Sequence, residues 1–167
     1  MFFDLLPSPL GELIICADDS GITAVAFPGE IACHGAANPN ALVRKAVAQL
    51  QEYFAGLRTA FDLPLHAGGT PFQRAVWQAL CAVPYGATAS YGDIAVAIGN
   101  PRASRAVGLA NGRNPIAILV PCHRIIGRDG GLTGYGGGLD RKRWLLEHER
   151  RNSPPGRFDV RRIERIW

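Results

Sequence analysis

The sequence is poor in charged residues and has no long apolar stretch. Charged residues make up 19% of the 167 positions and hydrophobic residues 47%, which is typical of a folded globular protein and excludes a disordered chain. The apolar runs, such as residues 116–120, are too short to cross a bilayer. We therefore expect no association with a membrane.

Export and metal-binding signals are also missing. Residues 1–4 begin no segment with the basic, apolar and cleavage regions of a secretory signal, so we expect a cytoplasmic location. The four cysteines form no C-x-x-C pair and no Cys/His cluster, so we expect reduced thiols, no metal and no cofactor. These cysteines are Cys16, Cys33, Cys81 and Cys122.

Positive charge is scarce in the first part of the chain and concentrated in the rest. Residues 1–66 carry three basic and seven acidic side chains, whereas residues 67–167 carry fifteen and seven. This asymmetry indicates a polyanionic partner for the C-terminal part, most simply nucleic acid. A solvated basic face is the alternative, and charge alone does not decide between them.

Turn residues and periodicity predict two domains. Apolar runs at residues 10–16 and 22–27 flank a turn and predict a β-hairpin, and residues 42–54 have helical spacing up to Gly56. A small α/β domain over residues 1–66 follows. The Pro/Gly segment at 64–69 marks the boundary to a second domain at 67–150, and residues 151–167 form a basic tail without an assigned function.

The second domain contains a predicted helix-turn-helix. Thr70 and Gln73 form a capping box for a helix to about Ala82, with Trp77 beside its apolar face. A second capping box, at residues 90–93, starts a short helix that stops near Gly99. Asn100 is expected to cap a further helix over residues 103–110. Helix pairs are common, but this one lies in the basic part of the chain, where its second helix would enter a DNA groove.

A candidate nucleophile follows a predicted strand at residues 116–120. Cys122 is adjacent to His123 and Arg124, which supply a base and positive potential that favour a thiolate. Direct contact between Cys122 and His123 requires the backbone to turn after Pro121; otherwise a water bridges them. Glu149, near the end of a predicted helix, is either a solvated carboxylate or the group that orients His123.

Six motifs occur along the second domain: Ser90-Tyr91-Gly92, Gly99-Asn100-Pro101, Arg105-Ala106-Val107-Gly108, Pro121-Cys122-His123-Arg124, Leu132-Thr133-Gly134-Tyr135 and Leu145-Leu146-Glu147-His148-Glu149. Together they resemble the methylated-DNA–protein-cysteine methyltransferases, also called O6-alkylguanine-DNA alkyltransferases. The resemblance covers about residues 70–150, and the N-terminal part resembles the family only loosely, through residues 8–11 and the hairpin. It implies a ribonuclease-H-like α/β domain followed by a mainly helical, winged-helix-like DNA-binding domain.

The resemblance also implies an activity and a role for individual residues. Cys122 would accept the alkyl group of O6-alkylguanine, and of O4-alkylthymine, in double-stranded DNA, once per molecule. A water activated by His123 and Glu149 would deprotonate the thiol, Asn114 would hold the site, and Tyr91 would rotate the nucleotide out and protonate the leaving base. The residues implied to contact DNA are Tyr91, Arg102, Arg105, Ala106, Gly108, Asn111 and Arg124. The residues implied to form the pocket for the flipped base are Tyr135, Gly136, Gly137 and Lys142.

Other roles and other functions fit parts of the pattern. Tyr91 could simply start a helix, Arg105 could contact a phosphate, and Tyr135 could pack on the core. Arg124 and Lys142 could be merely electrostatic or structural. Gly136 replaces a serine found in some relatives, which leaves the accepted size of the alkyl group open. A non-catalytic lesion-binding protein would lack Cys122, and a cysteine hydrolase would leave the helix-turn-helix unexplained. We expect a monomer.

Overall fold

The computed structural model describes residues 1–153 and forms two compact units. The first comprises Met1–Gly68 and Pro115–Leu119, and the second comprises residues 69–114 and the described residues from 120 onward. The predicted domain limits of 1–66 and 67–150 stay predictions. Most of the predicted basic tail, residues 154–167, lies outside the described residues.

The first unit packs one helix on a three-stranded antiparallel sheet. Its strands are β1 (Phe2–Ser8), β2 (Gly11–Ala17) and β3 (Ile22–Ala26), in the order β1-β2-β3, and α1 spans Ala41–Phe54. The core lies between sheet and helix, where Leu13, Ile15, Val25, Leu50 and Tyr53 are buried. The predicted hairpin β2–β3 and the predicted helix are therefore confirmed.

Strand β1 was not predicted from the sequence. It pairs with β2 over its whole length, from Phe2 opposite Ala17 to Ser8 opposite Gly11. Its apolar residues do not alternate regularly, since Phe3 and Leu6 are the two that are fully buried, and Pro7 also weakens a strand pattern. The extended conformation of β1 therefore depends on its pairing with β2.

The strand predicted at residues 116–120 is wrong. Ile116 makes only an isolated bridge to Val25, and the chain then turns at Ile118, which has a φ of 70°. The run is nevertheless buried throughout. A short apolar run predicts burial but does not show which backbone conformation achieves it.

The second unit is mainly helical. Its helices are α2 (Pro71–Cys81), α3 (Tyr91–Ala97), α4 (Ser104–Gly112) and α5 (Leu139–Arg151), with a short 3-10 turn at Cys122–Arg124. Strands β4 (Ala89–Ser90) and β5 (Ile125–Ile126) pair in parallel. No helix among residues 1–153 is long and apolar enough to span a membrane.

Two capping boxes confirm the predicted starts of α2 and α3. The Thr70 hydroxyl accepts from the Gln73 amide at 3.1 Å, and the Ser90 hydroxyl accepts from the Asp93 amide at 3.0 Å. In both cases the side-chain oxygen of the later residue accepts a hydrogen bond from the backbone amide of the cap residue. Helix α3 ends before Gly99, whose φ of 78° favours glycine.

One detail of the predicted helices is wrong, namely the cap of α4. Asn100 does not cap α4, because the helix starts later, after Ala103, and has no side-chain cap. Trp77, predicted beside the apolar face of α2, is buried, and its indole nitrogen donates to the carbonyl oxygen of Ala110 at 2.8 Å. Trp77 thus joins α2 to α4 and fixes the helix-turn-helix on the rest of the unit.

A candidate active site around Cys122

Cys122 occupies the first position of the 3-10 turn rather than the end of a regular strand. Its amide donates to the carbonyl oxygen of Val120 at 2.8 Å, and the Arg124 amide donates to the carbonyl oxygen of Pro121 at 3.0 Å. The backbone therefore turns directly after Pro121, which is the condition for a direct contact between the side chains of Cys122 and His123. The side chain is buried, with the residue 5% exposed.

Asparagine side chains hold the backbone on both sides of the thiol. Asn114 donates to the carbonyl oxygen of Val120 at 2.9 Å, and Asn111 donates to the carbonyl oxygen of Cys122 at 3.4 Å. Since both carbonyl groups are buried, these bonds satisfy acceptors that water does not reach. The predicted role of Asn114 in holding the site agrees with this geometry.

The surroundings of the thiol act on its pKa in opposite directions. Burial raises the pKa of Cys122, because a thiolate is poorly solvated there. Polar interactions with Asn114 and Tyr135, and the charge of Lys142, lower the pKa without cancelling the effect of burial. The resting thiol is therefore protonated at neutral pH and needs a base when it reacts.

A buried base and carboxylate lie next to the thiol. The Nε2 atom of His123 lies 2.8 Å from Oε2 of Glu149, and both side chains are at most 1% exposed. Burial lowers the pKa of His123, and the charge of Glu149 only partly opposes that shift. Histidine is therefore neutral at pH 7, and its buried Nδ1 atom hydrogen-bonds to no group among the described residues.

Glu149 stays ionised in spite of its burial. Burial opposes its negative charge, but attraction to His123 and hydrogen bonds from His123 and Arg124 hold the pKa of the carboxyl well below its usual range. Arg124 binds the carboxylate with two nitrogens, Nε at 2.8 Å and Nη2 at 3.0 Å. Glu149 is therefore a buried, ionised partner of His123 and Arg124 rather than a solvated surface carboxylate.

Arg124 does not lie where a DNA contact is expected. It is 6% exposed, and besides its two bonds to Glu149 its Nη1 atom donates to the carbonyl oxygen of Val83 at 2.6 Å. Asn111 is also buried, facing the backbone of Cys122. We correct both predictions: these residues support the site from inside and do not form its DNA-facing surface.

Lys142 supports the loop beside the thiol. Its buried ammonium donates to the carbonyl oxygen of Ile125 and, at 3.1 Å, to that of Thr133. Burial lowers its pKa, while the proximity of Cys122 acts in the opposite direction. Lys142 thus joins β5 and the glycine-rich loop at residues 127–138 and adds positive potential near the sulfur.

The glycine-rich loop carries the residues predicted to surround a base. Tyr135 is half-buried, and its side chain lies near the Cys122 thiol and lowers the pKa of that thiol. Gly136 is exposed, and Gly137 accepts a hydrogen bond at its carbonyl oxygen from Arg141 at 2.9 Å. The loop therefore adjoins the sulfur at Tyr135 and is open to solvent immediately after it.

Tyr91, the first residue of α3, meets the same loop. Its hydroxyl oxygen lies 2.5 Å from the hydroxyl oxygen of Thr133. A Cβ atom placed on Gly108 of α4 would lie 3.7 Å from two carbons of the Tyr91 ring, so the ring lies beside that glycine. Sequence reasoning did not single out Thr133, and its place in the Leu132–Tyr135 motif was the available signal.

Helix α4 presents one exposed face. Exposed positions recur along it at helical spacing, whereas Val107, Ala110 and Asn111 point into the unit. Arg113 and the 70% exposed Leu109 belong to this face and were not predicted. The exposed residues are Arg105, Ala106, Leu109 and Gly112 of the helix, with Arg102 just before it and Arg113 just after it.

The cluster has the groups needed for nucleophilic transfer to sulfur. It combines a protonated thiol, a neutral imidazole and an ionised carboxylate that orients the imidazole. No group of three or more Cys, His, Asp or Glu side chains within residues 1–153 is placed to bind a metal ion.

Both parts of the chain match one known family. Residues 71–151 match "6-O-methylguanine DNA methyltransferase, DNA binding domain", and residues 1–67 match "6-O-methylguanine DNA methyltransferase, ribonuclease-like domain". The chain belongs to this methyltransferase family. The family resemblance and the predicted fold class, with a ribonuclease-like α/β domain before a mainly helical DNA-binding domain, are confirmed.

Individual family members are similar over most of the chain. A methylated-DNA–protein-cysteine methyltransferase from Methanosarcina barkeri is 48% identical over 157 residues, which cover 91% of this chain and 99% of the relative. One from Mycolicibacterium paratuberculosis is 64% identical over 117 residues, which cover 70% of each. The structure of Mycobacterium tuberculosis OGT in complex with DNA has a TM-score of 0.83 and 47% identity, covering 98% of this chain and 99% of that one.

Proposed function

We propose that this protein repairs DNA by transferring the alkyl group of O6-alkylguanine, and of O4-alkylthymine, irreversibly to Cys122. The observation that carries the proposal is the buried thiol beside the His123–Glu149 pair, in the unit that matches the family's DNA-binding domain. Relatives named methylated-DNA–protein-cysteine methyltransferase and a related protein solved with DNA support the same activity. A cytoplasmic monomer acting on double-stranded DNA is the simplest form of the proposal.

Activation of the thiol follows from the charges at the site. Because the Cys122 thiol is protonated at rest, its proton must leave as the sulfur attacks. Neutral His123 accepts that proton at Nδ1 through a water molecule, while Glu149 stabilises the imidazolium that forms. The Arg124 guanidinium keeps the carboxylate of Glu149 in place throughout.

Transfer forms one bond and breaks another. The sulfur bonds to the alkyl carbon as the bond from that carbon to guanine O6 breaks, and the electron pair stays with the guanine. Tyr91 supplies a proton to the leaving base. The product thioether has no group that water displaces under ordinary conditions, so each molecule reacts once.

Access to the lesion requires the nucleotide to leave the duplex. A base inside the stack is out of reach of a buried thiol, and extrusion costs a few kcal/mol. The exposed face of α4 would dock on the DNA, with Arg105 filling the space left in the stack and Arg102 contacting the backbone. Tyr135, Gly136 and Gly137 would line the pocket for the extruded base.

The decisive experiment locates the transferred group. After incubation with a duplex oligonucleotide containing one O6-methylguanine, mass spectrometry should find one additional methyl group on the Cys122 peptide. The amount of repaired DNA should not exceed the amount of protein. Cys122→Ser should abolish the reaction, whereas Cys33→Ser, a matched change in the first unit, should keep it.

Two results would overturn the proposal. A methyl group on another cysteine would exclude Cys122 as the acceptor. Multiple turnovers would favour a hydrolase-like mechanism, in which the intermediate on sulfur is released.

A further inference from the structure

Thr133 makes a contact that the proposed mechanism does not use. It lies in the glycine-rich loop, where its hydroxyl oxygen is 2.5 Å from that of Tyr91 at the start of α3. At this distance one hydroxyl donates to the other. The contact links the DNA-facing helix pair to the loop that adjoins the thiol.

The backbone of Thr133 is fixed from inside the unit. Its carbonyl oxygen accepts from the buried ammonium of Lys142 at 3.1 Å, and the same ammonium donates to Ile125 in β5. A hydrogen bond to a charged donor is stronger than one between neutral groups. The backbone of Thr133 is therefore held by a buried cation, although the residue itself is exposed.

The ring and the hydroxyl of Tyr91 are held by different elements. Gly108 of α4 lies against one edge of the ring, within ordinary contact distance of a Cβ atom placed there. That contact does not hold the hydroxyl group at the far end of the ring. Within residues 1–153, Thr133 is the hydrogen-bonding partner that the structure shows for the hydroxyl.

We propose that Thr133 is a positioning residue, which holds the Tyr91 hydroxyl in the place from which it acts on the extruded nucleotide. The inference rests on the proposed function and adds a residue to it. Lys142 fixes Thr133, Thr133 fixes the Tyr91 hydroxyl, and the loop that adjoins Cys122 is thereby joined to α3.

The test compares two substitutions that differ in one hydroxyl group. Thr133→Val keeps the shape of the side chain and removes its hydroxyl, whereas Thr133→Ser keeps the hydroxyl. The single-turnover rate on a duplex containing one O6-methylguanine should fall about 3- to 10-fold in Thr133→Val, the net effect of one hydrogen bond. It should stay within about twofold of wild type in Thr133→Ser, and also in Thr59→Val, a matched change at an exposed site of the first unit.

A double substitution separates positioning from a general effect on the fold. If Thr133 acts through the Tyr91 hydroxyl, adding Thr133→Val to Tyr91→Phe should cause no further loss of rate, because the partner is already absent. Thermal unfolding of each variant should follow that of wild type. A further loss of 3-fold or more in the double variant would overturn the inference, as would a Thr133→Val rate equal to wild type or a Thr133→Ser rate as slow as that of Thr133→Val.

The same experiment distinguishes this inference from the proposed function. If wild type acquires no methyl group on Cys122, the proposed function fails. If wild type is methylated on Cys122 and Thr133→Val reacts at the same rate, only the positioning role fails.

Discussion

At the scale of single residues, Glu149 shows how a buried negative charge is stabilised. It lies near the C-terminal end of α5, where the helix dipole disfavours a negative charge, and it is almost fully buried. Two cationic or proton-donating partners, Arg124 and His123, surround its carboxylate. Removing either partner would leave a buried charge poorly compensated, so we infer that the three side chains function as one unit.

The pH dependence of alkyl transfer should reveal the buried state of His123. Burial lowers the pKa of His123 below 6.5, so the residue stays neutral, and able to accept a proton, at pH values where a solvated histidine is charged. We expect the single-turnover rate on methylated duplex DNA to be constant from pH 8 to below about pH 6.5 and to fall only at lower pH. An acidic limb with its midpoint at or above 6.5 would contradict this expectation.

The folded state has to be monitored at each pH in that experiment. The unfolded chain binds a proton at His123 near pH 6.5 and at Glu149 near about pH 4.3, whereas the folded protein resists both. Because each folded pKa is depressed, the stability from these groups is present above the unfolded pKa and lost as pH falls through the folded one. Denaturant unfolding at matched pH separates loss of the base from loss of the fold.

Individual site residues differed in how far the sequence could predict them. Cys122 and His123 were identifiable because a nucleophile and a base are adjacent in the chain. The buried position of Arg124 could not be predicted, because its partner Glu149 is 25 residues away in the sequence. The residues next to Arg124 would be the same if its side chain faced DNA. Thr133 was missed for the same reason: its contact with Tyr91 spans 42 residues.

At the scale of elements, local hydrogen bonding decided which predictions succeeded. Helices α2 and α3 carry their own capping boxes, so their starts could be read from four residues each. Strand β1 depends on pairing with β2, and the segment 115–119 depends on its place in the first unit. Neither signal is contained in the segment itself.

The rate of alkyl transfer on duplex DNA should depend on the exposed face of helix α4. Arg105 lies on this face, whereas Arg44 is an exposed arginine of α1 in the first unit. Arg105→Ala should slow alkyl transfer on duplex DNA at least about tenfold. Without the arginine side chain in the space left by the base, less of the free energy cost of extruding the nucleotide is offset. Arg44→Ala is the control and should react like wild type.

The comparison of the two arginine variants is made by single-turnover kinetics at low protein concentration. Equal rates for Arg105→Ala and Arg44→Ala would remove Arg105 from the DNA-contacting face. A melting curve for each variant checks that the exposed substitutions leave the fold unchanged.

At the scale of the whole molecule, charge is divided between the two parts of the sequence. Residues 1–66 have a net charge of −4 and residues 67–167 of +8, from the counts of acidic and basic side chains. The sequence predicted this division, but the exposed face of α4 was needed to show which arginines reach solvent together. A charge pattern gives the sign of the partner, and the fold gives the surface that meets it.

The salt dependence of DNA binding by the complete protein tests whether the exposed face of α4 is the contact surface. Each cationic side chain that contacts a phosphate displaces counterions, so the logarithm of the association constant for duplex DNA falls with the logarithm of salt concentration. Arg113→Gln, at the end of the α4 face, should reduce the steepness of that plot by about one unit. Arg44→Gln removes the same charge from α1 and should leave the slope unchanged while altering net charge equally. If both variants reduce the slope alike, DNA responds to the total charge of the molecule, and the face of α4 is not the contact surface.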